Sequence, residues 1–172
     1  MEKTIRIMIY TLVYIAFICF QILVINKFSL FSVKPNLFLV LIITTFMNFD
    51  IKVGLIYSIF TGVFLDILYM TNGFGIYTFS YLLLGIVIYI LCISRVKKGS
   101  LSAIYLTIIG SIVLDVISYF TMLFKYSVDL GFFRLLGGAM LFAILNIAFT
   151  AIINQIISKI GSKREGSSIY FS

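Results

Sequence analysis

Two carboxylic acids stand inside long apolar runs, Asp66 in residues 53–70 and Asp115 in residues 101–124. A charge inside a bilayer is costly, so such a group faces the interior of a bundle or a water-filled space and marks a candidate functional site. Each Asp closes a ladder of small residues spaced by four: Gly54, Ser58, Gly62, Asp66 in one run and Ala103, Thr107, Ser111, Asp115 in the other. Four-residue spacing keeps a set on one slowly drifting helical face, and small residues let membrane helices approach closely. Each ladder therefore reads as a tight helix contact leading to a carboxyl group. At about 1.5 Å per residue both carboxyls lie roughly 20 Å from the start of their run. At that common depth they would share a proton or pair with Arg134, and the plainer reading is a pair of hydrogen-bonded structural acids. With the carboxyls facing the bundle interior, Asp66→Asn keeps the shape and the hydrogen bonding while removing charge, whereas Asp66→Leu destabilises the bundle and weakens partner binding.

Other chemistry finds little footing. The chain has no His and two Cys, Cys19 and Cys92, so zinc, haem and the Ser-His and Cys-His arrangements lack their ligands or bases. No glycine-rich phosphate loop is present. Two aspartates formally allow an intramembrane aspartyl protease, but neither stands in a Tyr-Asp or Gly-x-Gly-Asp setting. The expectation is a non-enzymatic protein with no catalytic residue, cofactor or metal. Gly138, Asn146, Thr150 and Asn154 share a face in the last run and read as interhelical hydrogen-bonding groups. Tyr77, Tyr81, Gly85 and Tyr89 read as packing.

The elements that must position these residues follow from composition. Of 172 residues, 62% are hydrophobic and 11% charged, against roughly 45 to 50% and about 25% in soluble domains. A span needs about 20 apolar residues, so six spans leave no room for a soluble domain. The whole chain, 1–172, reads as one all-α integral membrane domain, a bundle of six transmembrane helices at about 7–25, 35–49, 53–70, 76–93, 101–124 and 135–157, with 158–172 as a flexible tail. The first run resembles a secretory signal but is too long for a signal core and lacks a cleavage site. Pro35 suits the first turn of the second helix. That second span is short and reads as a full crossing or as a re-entrant or mismatched helix.

Lys and Arg number 13 against 6 Asp and Glu, a formal charge of +7. Because these charges lie between apolar runs, they read as topology signals and contacts to lipid headgroups, not as a nucleic-acid surface. With six crossings and both termini cytoplasmic, nine basic residues fall inside: Lys3, Arg6, Lys52, Arg95, Lys97, Lys98, Lys159, Lys163 and Arg164. Lys27, Lys34, Lys125 and Arg134 fall outside. Removing span two would put the cluster Arg95, Lys97, Lys98 opposite Lys3 and Arg6, against the positive-inside bias.

The order of features, with Pro35-Asn36-Leu37 entering a short span two, then Gly54, Gly62 and Asp66 in span three and Gly75 after a turn, resembles the bacterial rod shape-determining protein MreD family. The similarity extends over the length and span layout of the chain, and its specific residues lie between Pro35 and Gly85. It implies a membrane subunit of the cell-wall elongation complex in the bacterial cell membrane. Its implied partners are the bitopic protein MreC and, through it, MreB filaments and peptidoglycan synthases. Pro35, Asn36, Gly54, Gly62 and Asp66 become structural or partner-binding candidates; Ser58, Ser111, Asp115 and Arg134 are candidates from this sequence alone. The resemblance also implies a fold similar to the substrate-binding subunits of energy-coupling-factor vitamin transporters, which are the alternative identity. Those subunits dock through paired small residues on span one, where this chain offers only Ala16 and Cys19. A proton-coupled transporter using Asp66 and Asp115 is a third class, and the sequence leaves a homo-oligomer open.

Overall fold

A computed structural model describes residues 2–27, 33–69, 75–94, 99–126 and 132–161. Six α-helices succeed one another: α1 (Glu2–Leu23), α2 (Leu37–Asn48), α3 (Ile51–Leu68), α4 (Ile76–Ser94), α5 (Ser100–Tyr126) and α6 (Phe132–Gly161), with a 3-10 turn at Ile25–Lys27. Five of them are long and apolar enough to cross a membrane, and α2 is apolar but shorter. The chain is a multi-pass helical membrane protein.

Side-chain contacts give the helix directions. Tyr10 of α1 bonds Thr45 late in α2, while Gln21 bonds Leu37 at its start, so α1 and α2 are antiparallel. Tyr14 meets Thr61 and Thr11 meets Tyr57, which makes α1 and α3 parallel. Asp66 reaches Thr78, and a side chain at Gly85 would strike Ser58, so α3 and α4 run oppositely. Asn36 and Asn48 bond Asn146 and Asn154 in the same order, which makes α2 and α6 parallel. Thr107 with Thr150 and Ser111 with Asn146 make α5 and α6 antiparallel. Direction thus alternates along the chain, and Glu2 and Gly161 lie at the same end of the bundle.

Helix α2 is the axis. Every residue from Leu37 to Met47 is buried, as expected of a helix that is hydrophobic all round. At 12 residues it is about 18 Å long, too short for a hydrocarbon core of about 30 Å. Its length is tolerated because protein, not lipid, surrounds it and satisfies its ends. Gln21 Oε1 accepts from the Leu37 amide at 2.9 Å, and Asn36 Oδ1 accepts from the Leu39 amide at 3.2 Å. At the far end Asn48 Nδ2 donates to the Thr44 carbonyl at 2.8 Å and to Asn154 Oδ1 at 2.9 Å. The five longer helices instead expose apolar side chains outward, such as Leu12, Ile56, Phe79, Ile112 and Ile152, the face a lipid-exposed helix needs.

Two expectations shift here. Pro35 precedes the helix instead of opening it, because the side chain of Asn36 takes the N-cap position. Residues 158–161 continue α6, and the rest of the tail, 162–172, lies outside the described residues, as do Arg95, Lys97 and Lys98.

Candidate functional site

Helices α3 and α4 meet through the first ladder. Gly54, Ser58, Gly62 and Asp66 are all buried. A methyl group at Gly62 would stand 2.6 Å from Thr78 Cα and 2.9 Å from the Tyr77 carbonyl oxygen, so the two backbones touch there. At Gly54 a methyl group would overlap the Phe46 ring of α2 at 2.6 Å. The ladder ends at Asp66, whose Oδ1 accepts from the Tyr77 amide at 3.0 Å and whose Oδ2 accepts from the Thr78 amide at 2.9 Å and from the Thr78 hydroxyl. The first amides of a helix have no intrahelical partner and carry the positive end of its dipole. A carboxylate from α3 therefore caps α4. Gly75, just before α4, has φ +100°, a left-handed conformation that glycine adopts without strain.

The second ladder has another end. Thr107 Oγ1 lies 2.9 Å from Thr150 Oγ1, and Asn146 Nδ2 donates to Ser111 Oγ at 3.1 Å. Asn146 Oδ1 also accepts from the Asn36 amide at 2.8 Å, tying α5 to the entry of α2 through α6. Asp115 extends from this ladder, half-buried, into a cavity of about 730 Å³. The structure does not join the two aspartates: the Asp66 oxygens are occupied by α4, and Asp115 lines the cavity. The side chain of Arg134, the other proposed partner, lies outside the described residues. The expectation that Asp66→Asn keeps the hydrogen bonding is corrected as well. The Tyr77 and Thr78 amides bond different oxygens of Asp66, and an Asn side chain offers only one acceptor.

The cavity lies at the end of the bundle away from Glu2 and Gly161, among the end of α1, the entry of α2, the start of α4 and the second half of α5. Its polar wall is largely saturated by bonds within the protein. Gln21 Nε2 donates to Asn26 Oδ1 at 2.8 Å and to the Pro35 carbonyl at 3.2 Å, and Asn26 Nδ2 donates to the Tyr69 hydroxyl at 3.1 Å. Asn36 Nδ2 donates to the Tyr81 hydroxyl at 2.8 Å, and the hydroxyls of Ser80 and Thr121 are turned to carbonyls of their own helices. The Asp115 carboxylate and the Lys34 ammonium differ: among the described residues neither has a hydrogen bond or ion pair. Much of the remaining wall is apolar and aromatic, including Phe38, Tyr69, Tyr77, Leu114 and Phe142.

Spacing does not single out Gln21 and Asn26, although isolated polar groups at the end of an apolar run are a recognisable signal. Tyr10 and Tyr14 carry no such signal; they are fully buried and bond Thr45 and Thr61 across helices. No group of three or more metal-ligating side chains forms among the described residues. Comparison with family models, curated proteins and solved structures returns no match.

Proposed function

We propose that this chain is a non-enzymatic, MreD-like membrane subunit of the bacterial cell-wall elongation complex. In this reading it lies in the cell membrane with both termini cytoplasmic, holds the bitopic protein MreC laterally, and through it connects to MreB and peptidoglycan synthases. The observation that carries the reading is that residues behind the resemblance make one connected junction. Asn36 caps α2 and bonds Tyr81 of α4, Gly62 lets α4 touch α3, and Asp66 caps α4. Such a junction fixes the mutual tilt of α2, α3 and α4, which is what a rigid lateral docking surface requires. The outward helix faces offer a single-span partner a place to pack, since membrane helices associate through van der Waals contact and a few hydrogen bonds.

Co-expression with MreC and purification in mild detergent tests the reading: the two should elute together. Asp66→Leu, which uncaps α4, should weaken that association. Elution of the parent chain without MreC, in a preparation that remains folded, overturns it.

The cavity favours a second reading, a substrate-binding subunit of an energy-coupling-factor vitamin transporter. Its volume falls within the roughly 300 to 1,000 Å³ of small-molecule sites. Tight binding of a vitamin with no retention of MreC would select it.

A further inference from the structure

We infer that the cavity beside Asp115 binds a zwitterionic ligand that carries an ammonium group and an acidic group on an apolar body. Most polar groups of the wall are already saturated. Gln21, Asn26, Asn36, Tyr81 and Ser80 are all engaged with protein partners, so they shape the wall. Asp115 and Lys34 line the same space with no partner among the described residues, one an acid and one a base. A carboxylate removed from bulk water is stabilised by a cation with hydrogen-bond donors, which an ammonium group supplies. The rings of Tyr69 and Tyr77, with centroids 5.7 Å apart, add aromatic surface of the kind that attracts ammonium groups. Lys34 is exposed and stands at the rim, where it suits a phosphate or carboxylate. The remaining wall, such as Leu114 and Phe142, takes an apolar body.

This full pattern occurs in an aminophospholipid, and its ammonium and acid alone occur in free zwitterionic solutes such as O-phosphoethanolamine. The inference uses the cavity alone and holds under either reading of the whole protein, so its failure leaves the co-purification with MreC untouched.

The test uses the full chain, delipidated in detergent. One arm titrates dioleoylphosphatidylethanolamine and, separately, dioleoylphosphatidylglycerol, with bound lipid counted by native mass spectrometry. The other arm titrates O-phosphoethanolamine and reads binding by calorimetry. The expected result is saturable binding of one ethanolamine-bearing probe, at least tenfold weaker in Asp115→Asn and weakened also in Lys34→Ala. Binding in the first arm identifies a lipid source, and binding only in the second identifies a free solute. Both variants must keep the parent's melting temperature to within a few degrees, and Asp115→Glu, which retains the carboxylate, should restore part of the affinity. The inference is overturned if neither ethanolamine probe binds, if phosphatidylglycerol binds as tightly as phosphatidylethanolamine, or if affinity is indifferent to Asp115→Asn.

Discussion

The ladders of α3 and α5 share a spacing and a terminal aspartate, yet they do opposite things. In α3 the ladder is spent on close packing, Gly62 against the α4 backbone, Ser58 against Gly85 and Gly54 against the Phe46 ring, and the Asp at the end is fully buried and caps α4. In α5 the ladder is built of Ala, Thr and Ser, of which Thr107 and Ser111 bond side chains of α6, and its Asp is left facing a cavity. The cause lies in how much helix remains after each Asp. Asp66 is two residues before the end of α3, so the short return of the chain brings the start of α4 against it. Asp115 is 11 residues before the end of α5, about 16 Å of helix, so the next helix begins far beyond it. A shared spacing ends in a structural node where a helix start is delivered to its Asp and in a carboxyl group lining a cavity where none is.

On that contrast, Asp66→Leu should show the largest loss. It leaves two amides of α4 without their acceptor, at roughly 1 to 3 kcal/mol each, so a loss of about 4 kcal/mol is expected in detergent unfolding followed by circular dichroism. Asp66→Asn should lose about half of that. Asp115→Leu, with no partner to lose among the described residues, should be neutral or raise the melting temperature; an equal loss at both positions would erase the distinction between the ladders.

The next effect in size concerns the backbone contact. Gly62→Ala should cost about 2 to 3 kcal/mol, because the intruding methyl group meets main chain that cannot rotate away. Ser111→Ala, on the equivalent rung of α5, keeps its volume nearly unchanged and should cost about 1 kcal/mol by the same unfolding assay. Reversed sizes would mean that the α5 ladder, not the α3 ladder, sets the helix spacing.

Smaller again is the coupling between Thr107 and Thr150. A double-mutant cycle with Val at both positions should return about 0.6 kcal/mol, the usual scale of a hydrogen bond between membrane helices. A coupling near zero would leave α5 and α6 held by packing alone.

Topology gives a yes-or-no outcome. In a Cys19→Ala, Cys92→Ala background, single cysteines at positions 97 and 129 should react with an impermeant reagent from opposite sides of the membrane. Labelling of both from one side would remove the shared end of Glu2 and Gly161 and with it the alternation that sets the two ladders in their present surroundings.

Much of this architecture is written in the sequence. Apolar runs of span length, broken by charge and by turn residues, fix the helical membrane class because a lipid environment requires every backbone polar group to be bonded within its own segment. The four-residue spacing likewise identifies Gly54, Ser58, Gly62 and Asp66 as one face, since helical periodicity is local. Equal depth along two helices is legible too, but it is a one-dimensional quantity and carries no information on what stands opposite. That Asp66 caps α4 while Asp115 borders a cavity depends on where neighbouring helices begin. That α2 is an axis wrapped by protein, and not merely a short span, depends on bonds to Gln21, Asn146 and Asn154, two of which are more than 100 residues distant. Such contacts arise only when the helices assemble, because in a bundle each polar group finds its partner by position in space and not by separation along the chain.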